Sequence, residues 1–216
     1  EPIEKADART ALGLADDRPV LLVMGGSQGA QSINQALVGA LPFLAKALPR
    51  LQYIHLTGTG SVGLVRKEYD ALGLSAVVRP FLTEMEYALG AADLALSRSG
   101  ASSLAEFSAM ELPAILIPYP TAVDDHQRLN ARSFVNIGAA LCFHQKQLTP
   151  KLLVSQLSQL FSIPARLDSM ADAMKQWKSA QATGEVVQRI FEVCGWEDDP
   201  GEELMFALPS GKEAVA

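Results

Sequence analysis

Short apolar runs alternate with longer amphipathic stretches along most of this chain. Six of the runs have the length and composition of strands, and helical patterns fill the gaps between them. The runs are 20–24, 51–56, 76–81, 93–97, 114–118 and 139–143. Runs that are apolar at nearly every position are typical of strands buried on both faces of a parallel sheet. The pattern therefore predicts an α/β fold, a doubly wound parallel six-stranded sheet with helices on both faces.

The last third of the chain has a different pattern. From Thr149 to about Cys194 the apolar spacing is helical only, and Pro164 separates two longer helices. Residues 196–216 begin with a cluster of acidic side chains, which predicts a flexible, solvated tail. We expect residues 1–195 to form one domain with extra C-terminal helices, followed by the acidic tail.

The first apolar run ends in a glycine-rich turn. Met24 is followed by Gly25-Gly26-Ser27-Gln28-Gly29, and a helical pattern begins at about Ala30. Glycines let backbone N–H groups approach an anion closely, and a helix N-terminus adds unpaired N–H groups. The turn therefore favours a phosphate site, with a tight turn that binds nothing as the alternative. No Lys-Ser/Thr pair follows the last glycine and no acidic residue follows the second run, which disfavours ATP hydrolysis and NAD binding.

Two further strand ends are followed by residues that could contact a ligand. After Ser97, Gly100 and three small residues open a helix, and Glu106 lies one turn into it. A carboxylate in that place can accept hydrogen bonds from both hydroxyls of a ribose, or it can simply stabilise the positive end of the helix. Leu82 follows another strand end, where backbone groups can meet a base.

A third polar junction follows Ile117. Gln127 and Asn130 are three residues apart and so project from one helical face, which suits recognition of sugar hydroxyls. Asp124 or Asp125 is predicted to cap that helix. His126 has no nucleophile near it in the sequence, which favours a hydrogen-bonding role over that of a general base.

Composition removes several classes of function. Acidic residues outnumber basic ones by 24 to 18 and no basic run is interleaved with aromatics, so nucleic acid is not an expected partner. No apolar stretch reaches the roughly 18 residues of a membrane span. Cys142 and Cys194 lack metal-ligand or redox spacing, and we expect buried thiols in a cytoplasmic protein. No metal or cofactor is predicted.

Taken together, the motifs resemble the carboxyl-terminal domain of the MurG family of GT-B glycosyltransferases. They are Gly-Gly-Ser-Gln-Gly-Ala with Asn34, Arg-Ser-Gly-Ala with Glu106, and Pro-Tyr-Pro followed by Asp-Asp-His-Gln and Asn130, in the family's order. The resemblance implies a Rossmann-like donor-binding half of an inverting enzyme. Such an enzyme transfers N-acetylglucosamine from UDP-N-acetylglucosamine to lipid I, forming lipid II in peptidoglycan synthesis.

The resemblance also implies roles for individual residues. The glycine turn faces the diphosphate and the sugar, three backbone N–H groups meet the α-phosphate, Leu82 reads uracil, and Glu106 binds the ribose. The implied substrate-binding residues are Ser27, Asn34, Leu82, Ala101, Ser102, Ser103, Glu106, His126, Gln127 and Asn130, and the implied phosphate loop is Gly25, Gly26 and Gly29. Position 126 is glutamine in some members of the family.

The family's amino-terminal domain is absent from the sequence, as is the Asn-Pro-Val-Arg segment expected just before Glu1. That domain carries the acceptor loops, the proposed base and the membrane-facing patch, so no catalytic residue is predicted here. We expect donor binding without turnover by this chain alone, and peripheral attachment of the full-length protein to the cytoplasmic face of the bacterial inner membrane. Two alternatives stay open: the donor-binding subunit of a two-component glycosyltransferase, and half of a nucleotide-sugar epimerase, for which only His126 offers a clear catalytic group.

Overall fold

The computed structural model describes residues 3–26, 29–175 and 189–194. The chain divides into two compact units, residues 1–179 and residues 180–216. In the second unit, residues 189–194 are helical. All elements named below belong to the first unit. The predicted acidic tail lies outside the described residues.

Six strands in the described part of the chain form a single parallel sheet. They are β1 (Val20–Met24), β2 (Gln52–Leu56), β3 (Ala76–Arg79), β4 (Leu94–Ser97), β5 (Ala114–Leu116) and β6 (Ala140–Cys142), in the order β3-β2-β1-β4-β5-β6. Every pairing between neighbouring strands is parallel. Each predicted strand is present to within two residues at either end, so the predicted fold class is confirmed.

Among the described residues of the first unit, eight α-helices cover the two faces. They are α1 (Lys5–Ala11), α2 (Gln31–Ala47), α3 (Val62–Ala71), α4 (Met85–Ala91), α5 (Ala101–Ala109), α6 (His126–Asn136), α7 (Pro150–Ser162) and α8 (Pro164–Met174). One core cluster contains residues of α1, α4, α5 and α6, the other contains residues of α2, α3 and α7, and α8 contributes to both. The predicted break at Pro164 is confirmed, since this proline starts α8.

The central strand explains the continuously apolar pattern. All five residues of β1 are buried. Because successive side chains of a strand point to opposite faces, Leu22 packs in the cluster beneath α5 while Leu21 and Val23 pack in the cluster beneath α2. A strand that supplies both cores has no position left for a polar side chain.

The topology fixes where a ligand crevice can form. From β1 the chain continues outward through β2 to β3, whereas from β4 it continues in the opposite direction to β5 and β6. Helix α2 therefore leaves β1 towards one face and α5 leaves β4 towards the other. Open sheets of this order bind ligands at the carboxyl ends of the strands where the direction reverses. The carboxyl ends of β1 and β4 are that place.

Two other expectations meet the structure here. Cys142 is half-buried on the edge strand β6, and Cys194 is exposed on the helical segment 189–194, so the prediction of two buried thiols was wrong. Cys142 lies on the outermost strand of the sheet, and all residues of the segment 189–194 are exposed or half-buried. Within the described ranges, no helix is both long and apolar enough to span a membrane.

Candidate functional site

The glycine turn after β1 has the backbone conformation that glycine permits. Gly26 and Gly29 have φ angles of 80° and 71°, and the Gly29 N–H donates to the Gly26 carbonyl at 2.9 Å. A Cβ atom on Gly29 would overlap the carbonyl oxygen of Thr57 and lie 2.9 Å from Cα of Gly58. The turn is therefore pressed against the end of β2. Ser27 lies outside the described residues, so its contact with a ligand stays a prediction.

Helix α2 begins directly after this turn. Its first internal hydrogen bond runs from the Asn34 N–H to the carbonyl of Ala30, at 2.9 Å. The N–H groups of residues 31–33 have no acceptor within the helix, as at any helix N-terminus. Their partial positive charge at the carboxyl edge of the sheet favours an anion.

A second helix N-terminus follows β4. Gly100 precedes α5, and the first helical bond runs from the Leu104 N–H to the Gly100 carbonyl at 3.1 Å. The N–H groups of Ala101, Ser102 and Ser103 therefore precede the helical ladder. Ala101 and Ser102 are exposed and Ser103 is half-buried, so the end of this helix is open to a ligand.

Glu106 lies one turn into α5. Its side chain is half-buried and makes no hydrogen bond or ion pair with any residue that the structure describes. Burial raises the pKa of the Glu106 carboxyl, and no donor offsets that effect. A half-buried carboxylate without donors is costly in the free protein, and hydroxyl donors of a ligand would relieve that cost.

Sequence reasoning missed Arg98, which connects four segments of this edge. The side chain is only 8% exposed, and its guanidinium donates to the carbonyls of residues 117–118 at 3.0 and 3.2 Å. It also donates to Oγ of Ser32 at 3.0 Å and to Oε1 of Gln145 at 2.6 Å. The guanidinium carbon lies 5.4 Å from the centre of the Tyr119 ring. The only signal in the sequence was a single arginine among the small residues 97–103, within the Arg-Ser-Gly-Ala motif.

Helix α6 is attached to the β4 and β5 junctions by its polar side chains. Gln127 accepts a hydrogen bond through Oε1 from the Tyr119 N–H at 3.0 Å. Asn130 donates through Nδ2 to the Ser99 carbonyl at 3.2 Å, and Ser99 Oγ donates to the Gln127 carbonyl at 2.8 Å. These bonds leave Nε2 of Gln127 and Oδ1 of Asn130 without a partner among the described residues. The two predicted amides are thus placed together at the carboxyl edge.

The segment that enters α6 differs from expectation. Asp124 and Asp125 have φ angles of 49° and 53°, and neither forms a side-chain cap. The predicted cap was wrong because a capping side chain needs an extended backbone, whereas left-handed Asp125 pairs its carboxylate with Arg128. His126 is exposed and its Nδ1 lies 2.8 Å from the Val123 carbonyl, which leaves Nε2 free towards solvent.

Leu82 is brought to the same edge by the ends of β2 and β3. The N–H groups of Thr57 and Gly58 donate to the carbonyls of residues 79–80 at 3.0 and 2.9 Å. Leu82 is half-buried and packs on the core cluster that contains Leu104 and Phe107 of α5. It therefore lies on the same face of the sheet as Glu106.

Asn34 is placed differently from the other predicted residues. Its side chain is 4% exposed, and both of its polar ends meet protein groups. Oδ1 lies 3.0 Å from Nε2 of His55, and Nδ2 donates to the Thr57 carbonyl at 2.8 Å. The structure connects Asn34 to the end of β2, and direct contact of Asn34 with a ligand stays a prediction.

The edge as a whole can bind an anion that carries hydroxyl groups. Two helix N-termini face the point where the sheet reverses direction, and a carboxylate and two amides lie beyond them. Within residues 3–26, 29–175 and 189–194 no group of three or more His, Cys, Asp or Glu side chains could hold a metal ion. Backbone N–H groups are the donors that this edge offers to a phosphate.

Comparison with known proteins agrees with this arrangement. Residues 20–186 match the family model described as the glycosyltransferase family 28 C-terminal domain. A relative from Anaeromyxobacter sp. (strain K) is 39% identical over 179 residues, which are 83% of this chain and 47% of that protein. It is named UDP-N-acetylglucosamine–N-acetylmuramyl-(pentapeptide) pyrophosphoryl-undecaprenol N-acetylglucosamine transferase. The chain thus spans about half the length of this curated relative.

Two solved structures resemble this chain at different levels of sequence identity. Acinetobacter baumannii MurG has a TM-score of 0.71 and 31% identity, covering 88% of this chain and 54% of that one. A UDP-N-acetylglucosamine 2-epimerase has a TM-score of 0.62 at 11% identity, covering 89% of this chain and 47% of that one. At that identity the epimerase shares the fold, and the fold alone does not choose between the two chemistries.

Proposed function

The chain belongs to the family of glycosyltransferase family 28 C-terminal domains, and we propose that it is the donor-binding half of an enzyme that uses UDP-N-acetylglucosamine. The names of its relatives support this donor, and the crevice between β1 and β4 supports a nucleoside diphosphate. Glu106 is the observation that carries the proposal. Its half-buried carboxylate has no hydrogen-bond partner among the described residues and lies one turn into a helix.

The diphosphate fits between the two helix N-termini. In this arrangement the N–H groups of residues 101–103 meet the α-phosphate, while the turn containing Gly25, Gly26, Ser27 and Gly29 meets the β-phosphate and the sugar. Backbone N–H groups and helix dipoles stabilise negative charge without a metal ion. Binding of the donor in the presence of a chelator follows from this proposal.

We assign the remaining parts of the donor from the position of each residue and the hydrogen bonds that it can make. The ribose hydroxyls donate to Glu106, and the uracil contacts the backbone at Leu82 on the same face of the sheet. Gln127 and Asn130 each keep one polar atom free for hydroxyls of the N-acetylglucosamine. His126 contributes Nε2, since its Nδ1 is directed at a backbone carbonyl.

Transfer itself needs an acceptor and a base. The acceptor proposed here is lipid I, bound by the other half of an enzyme about twice this length, attached to the cytoplasmic face of the bacterial inner membrane. An acceptor hydroxyl forms a bond to the anomeric carbon, the bond from that carbon to the diphosphate breaks, and the hydroxyl proton passes to the base. The negative charge that develops on UDP is stabilised by the same two helix N-termini.

Calorimetric titration of the chain with UDP-N-acetylglucosamine in EDTA tests the proposal. We expect saturable binding at a single site, and weaker binding of UMP because it lacks the β-phosphate. Addition of Mg²⁺ should leave the affinity unchanged. Absence of binding with and without Mg²⁺ would overturn the proposed donor, and binding only with Mg²⁺ would overturn the role of the helix N-termini.

A further inference from the structure

A chain of buried hydrogen bonds lies behind the glycine turn. Tyr69 OH lies 3.2 Å from Nδ1 of His55, and Nε2 of His55 lies 3.0 Å from Oδ1 of Asn34. Nδ2 of Asn34 donates to the carbonyl of Thr57 at 2.8 Å. We call these three side chains and the Thr57 carbonyl the buried relay. All of its residues are at most 4% exposed.

The chemistry of the groups fixes the direction of every bond. The Thr57 carbonyl can only accept, so the amide nitrogen of Asn34 faces it and Oδ1 faces His55. His55 therefore donates from Nε2, and its Nδ1 accepts from the hydroxyl of Tyr69. Burial lowers the pKa of His55 to about 3, so the ring stays neutral at physiological pH with one donor and one acceptor. Each polar atom of the three side chains therefore has a hydrogen-bond partner.

The relay ends at the point where the glycine turn touches β2. Asn34 belongs to the first turns of α2, whereas Thr57 directly follows β2. The oxygen that Asn34 holds is the same Thr57 oxygen that leaves no room for a Cβ atom on Gly29. A shift of this carbonyl therefore moves the backbone that Gly29 packs against.

We infer that His55, Asn34 and Tyr69 are positioning residues for the phosphate-binding turn, acting through the Thr57 carbonyl. The inference rests on the proposed function, since it concerns the same site. In this role the three side chains act through the Thr57 carbonyl and not through a contact of their own with the ligand. They set the distance between the first turn of α2 and the end of β2, and with it the direction of the N–H groups in the glycine turn.

Two substitutions of His55 separate positioning from general stability. The amide nitrogen of glutamine reaches the place of Nε2, so His55→Gln keeps a donor for Asn34. Asparagine is shorter and reaches only the place of Nδ1, so His55→Asn keeps a partner for Tyr69 and leaves Asn34 without its donor. We expect both variants to unfold at lower temperature. Affinity for UDP should fall about five- to tenfold in His55→Asn, and His55→Gln should recover most of that loss.

Two neighbouring tyrosines give a matched control. Tyr53 and Tyr69 are both buried and their ring centres are 5.0 Å apart, but the hydroxyl of Tyr53 has no hydrogen-bond partner among the residues that the structure describes. Tyr69→Phe removes the donor to His55, whereas Tyr53→Phe removes a hydroxyl that makes no hydrogen bond with a described residue. We expect weaker UDP binding only for Tyr69→Phe.

The outcomes distinguish this inference from the proposed function. Calorimetry with UDP is run on the 216-residue chain at a temperature where circular dichroism shows every variant to be folded. The backbone amide signal of Gly29 in ¹H–¹⁵N spectra reports the turn without ligand, and it should move in His55→Asn and stay in place in Tyr53→Phe. If the unsubstituted chain binds no UDP, the proposed function fails and the Gly29 signal still decides the relay. Equal UDP affinities for His55→Asn, His55→Gln and the unsubstituted chain, or an unmoved Gly29 signal in His55→Asn, would overturn the inference.

Discussion

The two edges of the sheet differ in what their polar groups do. A groove of about 790 Å³ lies at the amino edge, between α1, α8 and the starts of β1, β4 and β5. Its central carboxylate, Asp93, is fully engaged: it accepts from Lys5 at 2.9 Å, from Arg9 at 2.7 Å and from the Val20 N–H at 2.8 Å. These groups hold α1 against the sheet.

The carboxyl edge has polar groups whose hydrogen-bonding capacity is unmet. Glu106 has no partner among the described residues, and two helices present their first N–H groups there. A carboxylate such as Asp93, whose hydrogen bonds are already made within the protein, has little left to offer a ligand. The difference between the edges is therefore one of unpaired polar groups, which favour a ligand at the carboxyl edge.

The largest expected effect compares one buried arginine from each edge. Arg98 is 8% exposed at the carboxyl edge and Arg9 is 5% exposed at the amino edge. Replacing either with methionine leaves several buried acceptors without donors, and should lower the free energy of unfolding by about 4 kcal/mol. Only Arg98→Met should also weaken UDP binding, because only Arg98 holds the binding loops together. Urea denaturation and calorimetry on both variants measure this, and equal losses of UDP affinity would erase the distinction between the edges.

A pair of glycines sharpens the comparison. Gly13 and Gly29 both have a φ angle of 71°, but a Cβ atom on Gly13 meets nothing within 4 Å. Gly13→Ala should cost about 1 kcal/mol of stability, the cost of a left-handed alanine. Gly29→Ala should cost about 3 kcal/mol, since the Thr57 carbonyl must also move, and it should abolish UDP binding. Thermal unfolding of the two variants compares the costs, and similar midpoints would mean that the turn is not pressed against β2.

Glu106→Gln changes binding without harming the fold. A carboxylate that accepts two ribose hydroxyls makes charge-assisted hydrogen bonds, and loss of the charge should weaken UDP binding by about 2 kcal/mol. Because burial already disfavours the ionised form, the neutral amide should not destabilise the free domain. Glu68→Gln on the exposed face of α3 removes the same charge away from the crevice and serves as the control. Unchanged UDP affinity in Glu106→Gln would remove the ribose assignment.

The smallest expected effect is a pH dependence of stability from the buried relay. The pKa of His55 is lowered from 6.5 to about 3 in the folded chain by burial. Between these values the unfolded chain binds the extra proton, so the contribution of neutral His55 is complete above about pH 6.5 and is lost as the pH falls towards 3. The loss from this group is about 1.4 kcal/mol at pH 5.5. Urea denaturation from pH 7 to 5 should show the free energy of unfolding falling with pH by this amount, and His55→Gln should lack this contribution. An equal pH dependence in His55→Gln would contradict the lowered pKa of His55.

The sequence predicted the sheet well because a buried strand has apolar side chains at consecutive positions, which a short stretch of sequence shows directly. The continuously apolar run of β1 and the proline that begins α8 are local signals, and both led to correct predictions. Arg98 and His55 were missed because their meaning lies in partners far along the chain: Ser32 is 66 residues from Arg98, and Asn34 is 21 residues from His55. The cap at Asp125 failed for the opposite reason, since a left-handed backbone overrode a local preference.

The central claim is that the donor binds at the carboxyl edge of the sheet, between β1 and β4. Titration of the ¹⁵N-labelled chain with UDP in EDTA, followed in ¹H–¹⁵N spectra, tests it most directly. We expect saturable shifts of the amides of Gly29, Leu82 and residues 100–103, with the amides of Arg9 and Asp93 unmoved. Saturable shifts centred on Arg9 and Asp93 instead, or no saturable shifts at all, would contradict the claim.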